Sequence, residues 1–266
     1  MIFKDKYGPW AIIAGSAEGL GEAWSRTLAR KELNLVMIDN QKEKMESLAE
    51  KIREEHGIQT STLHLDLSKE DAAQKIMDHC HKLDCGLLVY NAAYSKVKPF
   101  MMNTEEDFRC YTGINTYTQF KLVHVFSERI IEKKRAGGII LMSSLAGLIG
   151  MQLVASYAAT KAFAWNLAEA LHHEMKPHQI DVMACIAGAT ATPPYLATKP
   201  KYGKIKPQVM APASVSEEAI RKLGKKARHI CGSANRMNYF ILTRLLPRGV
   251  ASAMANRVMK KMYTNE

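Results

Sequence analysis

Residues 10–21 read WAIIAGSAEGLG. A short apolar run, Trp10 to Ala14, meets a turn holding Gly15, Gly19 and Gly21, and a helical pattern follows from Glu22 to Arg30. Strand, glycine turn, helix is the setting in which backbone amides at a helix N-terminus can meet a pyrophosphate, because glycine lets the main chain approach closely. The spacing is G-x-x-x-G-x-G. Ordinary turns also use glycine, so the rest of the chain must carry the reading.

Outward from this turn, strands and helices alternate. A second strand, Asn34 to Ile38, ends at Asp39, eighteen residues after Gly21. An acid at that distance can grip adenosine ribose hydroxyls, or simply cap the next helix. The pattern then predicts helix 41–56, strand 59–65 with Asp66 at its end, helix 69–81, and strand 87–90 followed by NAAY. Asp66 is a second acid, able to bond an adenine amino group or to cap the next helix, and Asn91 can tie strand ends together near a cofactor. A long helix is expected over about 104–134, with Asn115 inside it, where a buried amide needs partners. Strand 138–142, a helix running to Lys176 and strand 180–186 follow. Residues 193–212 hold five of the nine prolines and lysines 199, 201, 204 and 206, which reads as a lid. A short helix over 216–223, then a short strand and helices around Pro247, complete the chain. Such alternation predicts an α/β fold, a Rossmann-type doubly wound parallel sheet of about seven strands with helices on both faces. Residues 1–225 are expected to form the body of the fold and 226–266 a basic helical extension of it.

The chemistry is concentrated in SLAGLIGMQLVASYAATK, residues 144–161. Tyr157 and Lys161 are four apart, so a helix sets them on one face, and Ser144 ends an apolar strand. A phenol titrates near ~10 and is a weak base at neutral pH, but a neighbouring ammonium favours the phenolate. A serine hydroxyl can hold a carbonyl oxygen while the tyrosine moves its proton. The trio suits interconversion of alcohol and ketone, the hydride coming from a cofactor.

Five cysteines without a CxxC pair read as reduced thiols. His79 and His81 would leave a helix on opposite sides, so no metal site is expected at HCHKLDC. The opening MIFKDKYGPW is not a signal peptide, and no apolar run reaches the ~18 residues of a membrane span. A cytoplasmic protein is expected. Its net charge is +11, unevenly spread. Residues 221–266 carry eleven Lys and Arg against one acid, Glu266, for +10, while the first 220 carry 26 basic and 25 acidic side chains, for +1. Such asymmetry points to an anionic partner or surface. Nucleic acid is not expected, since the tail has no recognised motif and sparse aromatics. After Pro247, helical spacing puts Ala251, Met254, Val258, Met259 and Met262 on one arc and Arg257, Lys260 and Lys261 on the other side, which suits peripheral contact with an anionic bilayer or packing on the domain.

With these residues in view, the chain over residues 8–225 resembles the short-chain dehydrogenase/reductases. AGSAEGLG is similar to the family's TGxxxGxG with Ala14 in place of Thr, and NAA at 91–93 to its NAG. Asn115, Ser144, Tyr157 and Lys161 match its catalytic tetrad, and Ala187-Gly188 through Thr192-Pro193 match its PGxxxTP. KYGPWAIIAGS and NRMNYFILTRLLPR look like a subgroup with very-long-chain 3-oxoacyl-CoA reductases and 17β-hydroxysteroid dehydrogenases. The resemblance implies Tyr157 as acid/base, Lys161 lowering its pKa and holding the nicotinamide ribose, Ser144 orienting the substrate oxygen, and Asn115 holding a relay water. It implies cofactor contacts from Gly15, Ser16, Glu18, Gly19, Leu20, Asp39, Asp66, Leu67, Asn91, Ala92, Gly188, Thr190 and Thr192. NAD is expected over NADP, because Asp39 would meet a 2′-phosphate with a like charge, Glu18 stands where NADP-preferring relatives often place a basic residue, and Lys42 is the only cation expected nearby in the following turn. Leu145, Met151, Val154 and Tyr195 are the expected walls for a small hydrophobic substrate, in a homo-oligomer (dimer or tetramer). The competing readings are a non-catalytic dinucleotide sensor and a membrane-surface adaptor on the same fold.

Overall fold

In the computed structural model, which describes residues 3–202 and 207–264, seven parallel strands form one sheet in the order β3-β2-β1-β4-β5-β6-β7. They are β1 (Trp10–Ala14), β2 (Asn34–Asp39), β3 (Thr60–His64), β4 (Cys85–Tyr90), β5 (Gly137–Ser144), β6 (Ile180–Ala187) and β7 (Arg228–Ile230). The helices are α1 (Phe3–Tyr7), α2 (Leu20–Ala29), α3 (Lys42–His56), α4 (Ala72–His79), α5 (Glu105–Thr112), α6 (Thr118–Glu132), α7 (Ala155–Glu174), α8 (Pro193–Ala197), α9 (Pro212–Ile220), α10 (Ser233–Phe240) and α11 (Arg248–Tyr263).

The central strands are apolar throughout because both faces are covered. Alternate residues of β1 feed opposite cores. Ile13 packs with Trp24, Met45 and Val215 under α2, α3 and α9, while Ile12 packs with Leu122, Phe126 and Ala168 under α4, α6 and α7. Strand order reverses between β1 and β4, which opens a crevice at the carboxyl ends of the strands, where such sheets take ligands.

Three expectations are corrected. The stretch 104–134 is not one helix: a π-helical turn, Gly113–Tyr117, separates α5 from α6. The extra residue in that turn carries Asn115 into the interior, where it accepts the Tyr94 amide (2.7 Å) and donates to the Tyr94 carbonyl (2.9 Å) and Thr160 Oγ1 (3.0 Å). α7 stops at Glu174, and Lys176–His178 forms a separate 3-10 turn. In α11 the expected apolar arc is divided: Ala251 is buried and Met259 and Met262 half-buried, but Met254 is 50% and Val258 43% exposed. The helix is rotated so that Asn256 and Tyr263 also face inward.

Candidate active site

The glycine turn closes on the end of β4. Gly15 has φ +81°, and a Cβ there would lie 2.6 Å from Ala92 Cα; a Cβ on Gly21 would lie 2.1 Å from the Gly15 carbonyl oxygen. Asn91 Nδ2 donates to the Gly15 carbonyl (2.6 Å), and the Asn91 and Ala92 amides both donate to Ala14 O. Gly19 precedes α2, no side chain caps that helix, and Leu20 opens it. Uncapped amides beside close-packed glycines are what a pyrophosphate requires, so these residues fit a nicotinamide dinucleotide.

Asp39 is buried and already occupied: it accepts the Ala17 amide (2.8 Å) and the Gln41 amide (3.0 Å), fastening the glycine turn to the end of β2. The cap position of α3 is Gln41 rather than Asp39. Ser16 is fully buried and its hydroxyl donates to Ile38 O, so its side chain braces the turn instead of facing a ligand. Glu18 pairs with Lys44 at 2.8 Å, so Lys42 is not the only cation nearby. Asp66 is exposed and accepts the Ser68 amide (2.9 Å), while Leu67 is buried with its carbonyl taking the Thr118 hydroxyl. Across the crevice Thr190 Oγ1 donates to Gly188 O (3.0 Å). Thr192 caps α8, and its Cβ lies 3.0 Å from where a Gly19 Cβ would sit.

Beside this rim, the end of β5 and the first turns of α7 bring Ser144, Tyr157 and Lys161 together. The Ser144 hydroxyl accepts the Ala146 amide (3.2 Å) and lies near enough to Tyr157 to favour its phenolate. Lys161 is 4% exposed, donates to Met142 O (2.9 Å), and its Nζ lies 5.6 Å from the Tyr157 ring centroid. Asn115 reaches the same turn through Thr160, whose hydroxyl donates to the Tyr157 carbonyl (2.9 Å). The electrostatics depart from the simple expectation. Burial pushes the Tyr157 phenol up, and the Ser144 hydroxyl offsets only part of this; burial also pulls Lys161 down to about 8. Two desolvated groups oppose their own charged forms, and the ammonium points its bond at a carbonyl rather than at the phenol.

Of the expected substrate walls, Leu145 is half-buried against the core and Val154 buried where α7 begins. Met151 lies half-buried in the intervening loop. Tyr195 spends its hydroxyl on Tyr202 (2.6 Å). Lys199 is exposed, the Lys201 amide donates to Met262 O (2.9 Å), and Lys204 and Lys206 lie outside the described residues. One buried charge cluster was not read from the sequence. Asp107, 1% exposed, gathers Lys98, the Thr104 amide (2.7 Å), the Tyr94 hydroxyl and Lys96 (3.1 Å). The Lys98 contact, with these hydrogen bonds, holds its carboxyl far below the usual range. Thr104-x-x-Asp107 was visible as a helix-start box, but nothing local announced the two lysines.

His79 bonds Ser61 (2.8 Å). Among the described residues, Glu218, His229 and Cys231 lie within 4.8 Å of one another. Glu218, however, is bonded to His229, Arg236 and the Gly232 amide, which makes it a brace for β7.

A family model described as short chain dehydrogenase matches residues 9–201. A 7beta-hydroxysteroid dehydrogenase of Clostridium sardiniense is 33% identical over 236 residues, 89% of this chain and 90% of that protein. A very-long-chain 3-oxoacyl-CoA reductase of Mus musculus is 26% identical over 270 residues, 98% of this chain and 85% of that protein. A solved structure concerned with 7beta-hydroxysteroid dehydrogenase stereoselectivity superimposes with a TM-score of 0.87 at 28% identity, covering 96% of this chain and 99% of that one.

Proposed function

The chain belongs to the short-chain dehydrogenases, NAD(P)-dependent oxidoreductases of CH–OH groups, and from that premise we propose an NAD(H)-dependent enzyme that interconverts a secondary alcohol and a ketone on a bulky hydrophobic substrate. A steroid is the first candidate and a 3-oxoacyl thioester the second, in the order of the identities of the named relatives. The observation that carries the reading is the Ser144–Tyr157–Lys161 cluster standing beside an uncapped, glycine-lined helix terminus. The sensor and adaptor readings find no support beside that cluster.

When bound, the nicotinamide supplies or accepts the hydride. Tyr157 gives its proton to the carbonyl oxygen in reduction and takes one in oxidation, and Ser144 orients that oxygen. Lys161 holds the ribose and replenishes the proton. The Asn115 amide is spent on Tyr94 and Thr160, so the side chain braces the cluster and a relay water would rest on the main-chain carbonyl. In a screen of ketosteroids, 3-oxoacyl thioesters and small ketones with NADH, a bulky ketone should give the highest kcat/KM. Turnover restricted to small polar ketones would overturn the substrate class.

NAD is preferred to NADP in this reading because the Asp39 and Glu18 carboxylates, at the end of β2 and in the glycine turn, would repel a 2′-phosphate, and the nearby Lys44 is already paired with Glu18. Titration should give NADH a Kd at least ~10-fold below that of NADPH, the equivalent of ~1.4 kcal/mol; the reverse order would refute it.

A homo-oligomer is supported by the exposed aromatic residues Phe108, Tyr117 and Phe120 along α5, the π turn and α6. Among the described residues no helix is long and apolar enough to cross a membrane. Peripheral contact remains part of the proposal, since Leu245, Val250, Met254 and Val258 are exposed among Arg244, Arg248, Arg257 and Lys261. Each cation near an anionic surface adds ~1 kcal/mol. The protein should sediment with anionic vesicles at low salt and be released by the double change Met254→Glu, Val258→Glu. A wild-type chain left in the supernatant would sink this contact.

A further inference from the structure

The loop between Ser144 and Tyr157 is held from two sides by residues that the proposed chemistry does not use. On one side, α11 supplies Asn256. Its Oδ1 accepts the Gln152 amide (2.7 Å), its Nδ2 donates to the Gly150 carbonyl (3.0 Å), and its own carbonyl accepts Gln152 Nε2 (2.7 Å). These three bonds cross more than a hundred residues of sequence and treat the loop as a β-edge treats its partner. On the other side, the Lys98 amide donates to the Leu153 carbonyl (2.8 Å). Between the two clamps Leu153 sits at φ +65°, a left-handed conformation that a leucine keeps only where its surroundings impose it.

The same helix also reaches the segment after β6. The Lys201 amide donates to Met262 O (2.9 Å), and the Tyr263 and Thr198 hydroxyls are 3.2 Å apart. α11 therefore bridges the loop that begins at Ser144 and the segment that begins at Thr192, the two edges between which a substrate must pass to reach Tyr157. Ala251, fully buried, anchors its first turn.

We propose that α11 is the roof of the substrate site and that Asn256 is the positioning residue that fixes it, so that substrate size is selected through the Asn256–Gln152 clamp. The inference rests on the bulky-ketone reading above. A small ketone bound at Ser144 and Tyr157 does not extend to the roof; a fused-ring or acyl-chain substrate does. Asn256→Ala removes both side-chain bonds and should raise KM for the bulky ketone about tenfold, with kcat changed less than about threefold. NADH affinity and kcat/KM for cyclohexanone should be unchanged. Asn256→Asp keeps the acceptor for Gln152 but cannot donate to Gly150, and should restore about half of the lost selectivity. Hydrogen exchange at the Gln152 amide provides a readout free of turnover: it should be protected in the wild type and accelerate in Asn256→Ala. If Asn256→Ala does not fold, Gln152→Ala, which deletes only the reciprocal bond, should give the same split at smaller size. Unchanged KM for the bulky ketone, equal losses on both ketones, or unaltered Gln152 exchange would each overturn the proposal. A wild-type enzyme inactive on steroids and thioesters would instead count against the substrate reading, and the exchange measurement would still decide the clamp.

Discussion

Tyr157→Phe should lower kcat by ~10²–10⁴, the range that correctly placed acid–base catalysis supplies, while leaving the fold and NADH binding intact. The change deletes one oxygen. The ring stays, and with it the face 5.6 Å from Lys161 Nζ. What is lost is the proton donor beside Ser144. Steady-state turnover on the best ketone, with a melting curve and an NADH titration as controls, measures the effect; turnover within threefold of wild type would remove Tyr157 from the mechanism. The wild type should also show a directional pH profile. Burial raises the phenol above its ordinary value despite the Ser144 hydroxyl. Reduction, which needs the protonated phenol, should therefore hold steady across neutral pH, whereas alcohol oxidation, which needs the phenolate, should climb through the alkaline range.

The crevice was legible because its elements are local. Trp10–Gly21 announces strand, turn and helix within twelve residues, and a parallel sheet covered on both faces follows from repeated alternation. The Tyr157–Lys161 spacing is likewise a property of one helix. The unread features depend on partners far away in the chain. TGINTY contains no proline to break a helix; the π turn exists because Asn115 finds Tyr94 and Thr160, 21 and 45 residues away. Asp107 looks like a solvated first-turn acid until Lys96, Lys98 and Tyr94 close over it. Asn256 sits among helix-forming residues with no cue that Gly150 and Gln152 lie opposite. For α11, an apolar arc specified the existence of an inward face but not its rotation, because alanine and methionine leave several packings nearly equal. Burial of Tyr157 and Lys161 is unread for a related reason: the spacing of four shows the favourable neighbour but not the desolvation that opposes the charged form of each group.

Lys161→Met should cut turnover at least ~10²-fold and also erase a pH dependence of stability. The Lys161 ammonium is buried and bonded to a neutral carbonyl, Met142 O, and burial brings its pKa from 10.5 to about 8. Its folded-state pKa is thus below its unfolded one. Below pH 8 the amine is protonated in both states and the burial cost is present in full, about 3 kcal/mol. As pH rises from about 8 toward 10.5 the folded state releases the proton while the unfolded chain keeps it, so this group adds stability across that window. Other lysines and tyrosines titrate there too, so the quantity to measure is a difference. Urea unfolding of cofactor-free protein at pH 7, 8.5 and 10 should show wild type gaining on Lys161→Met by up to about 3 kcal/mol between the ends of the range. Parallel curves would mean that the ammonium is not desolvated in the folded state. A desolvated ammonium is also what the proposed chemistry needs. An amine that titrates near 8 can pass a proton toward Tyr157 at physiological pH, which an ordinary lysine at 10.5 gives up far less readily.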